Sequence, residues 1–242
     1  MVAAASQVKV RTQSGRAAAR AFAESAGGGS GIASKIADEL RGLVAAGSLP
    51  PGSKLGQIEL AEQFNASPVP VREALKLLTS EGIVEHDPNR GFFVAKLSSA
   101  EARQLFRMRH LLEDELLQSV EWPNEAGLAE LRRRAAELED LLDAGDRRVW
   151  WLSHREFHQM IFDLSPHKVM VREAMRLWTL TDRFRAILPL PKRSSAQRSL
   201  VRKHDLVEAL AERDREKLMR LRRERRDSFE GMALEMLHEW NL

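Results

Sequence analysis

Two histidines set at helical spacing are the residues in this chain best suited to chemistry. Trp151, His154, His158 and Ile161 follow one another at intervals of three, four and three, so in a helix they share one face, and that face is otherwise apolar. Neutral imidazoles at positions i and i+4 can chelate one ion or hydrogen-bond a bound group. Later in the chain Lys203 shares a stripe with Leu206 and Leu210, and Arg225 shares one with Leu221 and Phe229. A lysine and an arginine are thereby turned inward. Each is a poor metal ligand and a good carboxylate partner, and their charge opposes a divalent ion nearby. Arg109, in the run MRHLLE, adds a third cation. Three readings follow for this constellation: an anion held directly by Arg109, Lys203 and Arg225 with His154 and His158 as hydrogen-bond donors, a metal site built on the histidine pair, or two satisfied core histidines.

Long helices must position these groups. From Ser98 onward there is no strand signal. Ser98 and Ser99 can cap a helix with Glu101 in its first turn, and Leu105, Met108, Leu112 and Leu116 give its inner stripe. Leu128, Leu131, Ala135, Leu138 and Leu142 mark a second helix, and others span about 147–164, 167–185, 199–212 and 214–238, with Pro189 and Pro191 in a loop. This is an all-helical bundle. Trp150, Trp151, Trp178 and Phe184 are expected in its core. Arg220, Arg222, Arg223, Arg225 and Arg226 alternate with Glu216, Glu224 and Asp227, which predicts a solvated face for most of these arginines.

The first part of the chain carries a different pattern. Ile32, Ile36, Leu40, Leu43 and Val44 form one helical stripe, ended by Gly47 and Pro50-Pro51-Gly52. Leu60, Ala61 and Phe64 mark a short helix that stops at Asn65. Ser67 can cap the next, with Pro70 in its first turn and Val71, Ala74, Leu75 and Leu78 on its buried side. Two short helices joined by a tight turn make a helix-turn-helix. Ile83-Val84 and Phe92-Phe93-Val94 flank the turn Asp87-Pro88-Asn89-Arg90-Gly91, which predicts a β-hairpin wing. In the helix after Ser67, Arg72 is the outstanding DNA-contacting candidate, because its planar fork can bind guanine O6 and N7 or clamp a phosphate. Ser67 can donate to a phosphate, Val69 can touch a thymine methyl, Lys76 reaches the backbone one turn on, and Arg90 with Gly91 lies at the wing tip.

Residues 36–94 resemble the DNA-binding domain of the GntR family of bacterial winged-helix regulators, through Gly47, Leu49, Pro51, Gly52 and Leu55, then Leu60 to Gly82, then Gly91 to Val94. The family usually has arginine at the position of Arg72. Two departures stand out: Ser67-Pro68-Val69-Pro70 replaces the usual Ser-Arg-Thr-Pro, and Ile58 stands where a basic residue often precedes the Leu-Ala pair. The later run LSSAE through LE, then HREFH, then the helix containing LVEAL, resembles the FCD effector domain of the FadR subgroup. That resemblance implies a dimerising helical bundle which binds a small carboxylate, often through a metal such as zinc or nickel. At the family's four ligand positions this chain has His154, His158, Lys203 and Arg225, where Asp and three His are usual; His204 lies one residue off the third. A surviving metal site would use His154, His158 and a shifted His204.

Composition bounds the function. The 242 residues suffice for one large core or two modest ones, and a break at Leu97 to Ala100 divides 30–96 from 101–242. With no cysteine, disulfides and thiolate metal sites are excluded. The net charge of +3 leaves anion affinity to local clustering. No apolar run is long enough to cross a bilayer, and residues 1–29, Ala-rich and basic, lack the apolar middle of a secretory signal and read as a mobile tail of a cytoplasmic protein.

The expected architecture is mainly α, a winged helix-turn-helix domain followed by a helical bundle. The expected function is a ligand-responsive regulator, a repressor for preference, that binds a two-fold symmetric operator as a homodimer, with an organic acid in the bundle shifting operator affinity by re-aiming the winged domains. The alternative is a metal-dependent hydrolase fused to a DNA-binding module. HREFH is similar to the HExxH zinc-protease motif, but Glu156 follows the first histidine by two residues, about 100° further round the helix than that motif's general base.

Overall fold

Ile36, Ala37, Leu40 and Val44 recur at helical spacing and are all buried, forming the inner face of α1 (Gly29–Ala45). In the computed structural model, which describes residues 29–188, 203–240 and 242, the chain makes two compact units that part between Lys96 and Leu97. The expectations for residues 1–28, for the Pro189-Pro191 loop and for the first turn of a helix from Ser199 lie outside the described residues.

In the first unit α1 is followed by β1 (Lys54–Leu55), α2 (Gln57–Gln63), α3 (Pro68–Ser80), β2 (Val84–Asp87) and β3 (Gly91–Val94). Gly47, at φ 75°, lets the chain leave α1 in the left-handed conformation that other residues resist. Leu60, Phe64, Val71, Leu75 and Leu78 pack with Ile36, Leu40, Ile83 and Phe92 in one core. At the end of α3, Glu81 accepts two hydrogen bonds from Arg41 of α1, 2.8 Å from Nε and 2.6 Å from Nη2, a bidentate tie that fixes the angle between the two helices.

Two details differ from the sequence reading. The wing is part of a three-stranded antiparallel sheet in the order β1-β3-β2, with Lys54 opposite Phe93 and Val84 opposite Val94. Strand β1 is two residues long, too short to show alternation. It is aligned by the Gly52 N–H donating to Val94 and the Val94 N–H donating to Ser53, each at 2.9 Å. Ser67 holds the N-cap position of α3, yet its hydroxyl makes no capping bond. Pro68 and Pro70 take the first and third positions of the helix, so the third-position amide that such a cap would engage does not exist.

The second unit is a bundle of α4 (Ser99–Gln118), α5 (Glu125–Ala144), α6 (Arg147–Phe162), α7 (Lys168–Ala186), α8 (His204–Ala211) and α9 (Arg215–Glu239). The mainly helical architecture implied by the sequence is the observed one. Side chains cap four of these helices: Ser98, Asn124, Asp146 and Asp214 each accept from a backbone amide of the first turn. Helix α4 lies against α7 and α9, α5 against α6 and α8, and α8 against α9. Phe106, Phe184 and Phe229, one from each of α4, α7 and α9, meet edge to face in the core beside Leu97 and Leu177.

The inner face of α4 is turned from the expected one. Met108 is exposed and Leu112 only half-buried, while Phe106, Arg109 and Glu113 are buried with Leu105 and Leu116. On α5, Leu142 is half-buried at the end of an otherwise correct stripe. The arginines of α9 depart most: Arg222, Arg225 and Arg226 are buried rather than solvated. Acidic partners on α4 and α8 make this possible.

Candidate functional site

Helix α3 presents Ser67, Val69, Arg72 and Lys76 on its exposed side, with Val69 59% exposed. Neither Arg72 nor Lys76 has a side-chain hydrogen bond or ion pair among the described residues, and Glu73, beside Arg72 in the chain, does not pair with it. Both charges are available to a polyanion without first breaking an internal pair. At the wing tip Asp87 accepts from the amides of Asn89 and Arg90, at 2.8 and 3.1 Å, and Gly91 adopts φ 94°. The Arg90 guanidinium rests 5.1 Å from the Phe93 ring centroid, which steadies it at the hairpin end.

The bundle brings together most of the other predicted residues. His154 and His158 project from α6 into the interior, their rings 4.7 Å apart. His154 stacks on Trp150 and Trp151, and His158 lies 4.8 Å from Trp178. Among the described residues, Nδ1 of His154 and both ring nitrogens of His158 have no hydrogen-bond partner. Burial, and then the positive charge of Lys203, push both imidazoles well below their ordinary range, so both are neutral. Lys203, at the N-cap of α8, is 4% exposed, and its ammonium has no carboxylate partner among the described residues. Burial depresses it strongly, with Arg225, Arg222 and Arg185 adding to the effect.

Arg109 is the centre of a different arrangement from the one expected. It donates to Glu113 Oε1 from Nε and Nη2 (3.2 and 3.0 Å) and to Thr181 Oγ1 (2.8 Å), and it stacks over Trp178. Its donors are committed to protein groups. Glu113, fully buried, also accepts from Trp178 Nε1 at 2.7 Å and faces Arg222 at 2.9 Å and Arg226 at 3.6 Å. Burial alone would raise this carboxyl, but Arg222, Arg109 and Arg226 outweigh it and hold it at about 2. Arg225 reaches Asp205 at 3.3 Å, and Arg226 reaches Asp114 at 2.7 Å.

Sequence reasoning missed three participants. Arg222 is one of the α9 arginines for most of which the alternation with acids predicts a solvated face. Arg185 lies between the Phe229 and Trp151 rings, 4.0 and 4.4 Å from their centroids, and burial and then Arg109 bring it down to about 9. Asp182, one turn before Arg185, is raised by burial to about 7 in spite of Arg155 and Arg185. The spacing of Trp178, Asp182 and Arg185, four and then three residues, was the signal that could have found the last two.

Asp182 gives a pH prediction. Its carboxyl sits at about 7 folded against 3.8 for an unperturbed one, so folding favours the protonated acid. The stability this carries is complete below about pH 4 and is lost as pH rises through about 7. Asp182→Asn is therefore expected to gain on the order of 2 kcal/mol over the parent at pH 8, and little at pH 4. Urea titrations at the two pH values measure this; an equal change at both would sink it.

A divalent ion does not fit the residues present. The interior offers two imidazoles, and among the described residues no group of three or more His, Cys, Asp or Glu is placed to hold a metal. His204, expected as a shifted third ligand, is half-exposed on α8 with Nε2 3.7 Å from Glu139. Lys203, Arg222 and Arg185 add positive charge where an ion would sit. Glu156, the carboxylate of the hydrolase alternative, is on the outer side of α6, 61% exposed and 3.5 Å from Arg134.

Comparison with known proteins bears on both units. Residues 32–94 match the model for bacterial regulatory proteins of the gntR family, and residues 104–225, half of the chain, match the FCD domain. The HTH-type transcriptional regulator YdhC of Bacillus subtilis is 26% identical over 134 residues, 54% of this chain; the match spans only 59% of that relative's length. A probable D-xylose utilization operon transcriptional repressor of Paenarthrobacter nicotinovorans is 24% identical over 74% of this chain and 79% of its own. Among solved structures, Escherichia coli McbR/YncC superposes with a TM-score of 0.75 at 24% identity, covering 84% of this chain and 97% of that one, a likeness of fold. No helix among the described residues is long and apolar enough to cross a membrane. The chain belongs to the GntR family of bacterial transcriptional regulators, in the FadR subgroup, whose members pair a winged-helix DNA-binding domain with an FCD domain and are regulators rather than enzymes.

Proposed function

We propose that this regulator is a homodimeric repressor whose grip on a two-fold symmetric operator is set by a small organic acid bound inside the FCD bundle. The observation that carries the reading is Lys203, a buried lysine without a carboxylate partner among the described residues, facing two neutral histidines among arginines. An uncompensated cation in a protein interior is costly, and an anionic ligand removes the cost. Operator contacts fall to α3 and the wing: Arg72 to base edges, Ser67 and Lys76 to the backbone, Val69 to a thymine methyl, Arg90 and Gly91 to the neighbouring groove. A dimer places two such helices about one turn of DNA apart, and Met108 and Leu111, exposed on α4, are apolar surface available to a second copy. The ligand acts by binding one dimer geometry better than another, so operator affinity falls as that population grows.

The test is operator binding, by fluorescence anisotropy on a site selected from random DNA, with and without a panel of organic acids. Repression relieved by ligand predicts weaker binding in the presence of at least one acid, and sedimentation of a two-chain species. Lys76→Ala should weaken specific and random DNA alike, because it removes one phosphate contact; a loss confined to the selected site would reassign it to base readout.

A further inference from the structure

We propose that the FCD bundle of this protein is a metal-free site for a dianionic oxyanion, in which Lys203 and Arg222, supported by Arg225, supply the charge that a divalent ion would otherwise bring. The proposal rests on the effector reading above and specifies the chemistry of what binds.

Charge carries the argument. Six cations converge on the interior around His154 and His158 or on Glu113 beside them: Arg109, Arg185, Lys203, Arg222, Arg225 and Arg226. Against them stand Glu113, Asp114 paired with Arg226, Asp205 paired with Arg225, and Asp182, which is half protonated near neutrality. Burial disfavours the charged form of Lys203 and a bound anion restores it; with Lys203 protonated, these groups carry an excess of about two positive charges. A monoanion would leave part of that excess buried, whereas a dianion cancels it.

Donors decide which groups bind. Arg109 is occupied by Glu113 and Thr181. Arg222 meets Glu113 from one side only, and its Nε has no hydrogen-bond partner among the described residues. Lys203, His154 Nδ1 and both nitrogens of His158 are also without one. These groups come from α6, α9 and the start of α8, and all are more than nine-tenths buried. One ammonium, one guanidinium edge and two neutral imidazoles, each with one N–H, form a donor set for oxyanion oxygens. The oxygens of a phosphate monoester and of a short dicarboxylate satisfy it by the same chemistry.

The purified full chain, treated with EDTA and shown metal-free by elemental analysis, is heated at constant ionic strength with inorganic phosphate, succinate or acetate. At a hundredfold excess over Kd, phosphate or succinate should raise Tm by about 5–10 °C, and acetate by much less. A larger rise with one dianion tells phosphate from dicarboxylate. Lys203→Met and Arg222→Met should lose the rise, while Lys203→Arg, and Arg220→Met on the exposed side of α9, keep it; Lys203→Arg covers the case in which Lys203→Met does not fold. Acetate matching the dianions, no response to either dianion, or a rise that EDTA abolishes and zinc or nickel restores would each overturn the proposal. Operator binding is measured in parallel: a dianion that raises Tm without changing operator affinity leaves this site standing and removes the effector reading.

Discussion

Glu113→Gln is expected to destabilise the bundle by about 3–5 kcal/mol at pH 7, a larger loss of folding stability than any other substitution named for this bundle. The amide preserves the size of the side chain and an oxygen for Trp178 Nε1, so what is lost is the charge. Arg109, Arg222 and Arg226 then remain buried around a neutral group, and an interior already rich in cations gains one more uncompensated charge. The carboxyl is held at about 2 in the folded state against 4.5 ordinarily, so its stabilising contribution is complete above about pH 4.5 and disappears as pH falls through about 2. The stability gap between parent and Glu113→Gln should accordingly be wide at pH 7 and narrow toward pH 3. Chemical denaturation of both proteins across that range checks it. A gap under about 1 kcal/mol at pH 7, or one that does not narrow in acid, would show that the arginines find other compensation.

The same cluster explains what the sequence could and could not reveal. Helix α3 was legible because its buried residues, Val71, Ala74, Leu75 and Leu78, repeat at helical spacing, while the apolar residues off that face, Val69 and Leu77, form no second stripe. His154 and His158 were legible for the same reason, two polar residues on a face whose other members are Trp151 and Ile161. Helix α4 was not, because it carries more apolar residues than one face can hold. Met108 and Leu111 remain outside, while Arg109 and Glu113, four residues apart, take inner positions by pairing with each other. What stabilises that pair in the interior is Arg222 and Arg226, more than a hundred residues away in the chain. Periodicity reports which residues share a face, and it is silent on what the face meets. The arginines of α9 were placed in solvent because acids alternate with them along the helix, yet their partners lie on α4 and α8. Strand β1 failed for another reason: two residues have no period, and their pairing is set by the chain returning through Gly52.

Arg72→Ala is expected to cost about 1–3 kcal/mol per half-site, and so about 2–6 kcal/mol for a dimer on a symmetric operator, with base preference relaxed at one position in each half. Three features of α3 make the effect large. Arg72 is exposed and unpaired among the described residues, so operator binding need not break an ion pair. Pro68 and Val69 stand where related regulators usually carry an arginine and a threonine, and Ile58, 70% exposed, stands where a basic residue is usual. With those charges absent, a larger share of specific affinity falls on the one guanidinium that remains near the start of the helix. The backbone around it is also fixed, since Pro68 and Pro70 lock the first turn and Arg41 ties α1 to Glu81 at the far end of α3. On the proposed reading the guanidinium would meet the groove on a rigid support, and its removal should leave the fold intact, because Arg72 is exposed and is not a member of that unit's core cluster. Anisotropy titrations at matched salt on the selected operator and on random DNA separate the outcomes. A base contact lowers affinity for the operator far more than for random sequence. An equal loss on both would make Arg72 a phosphate contact, and unchanged operator affinity would remove it from the interface altogether.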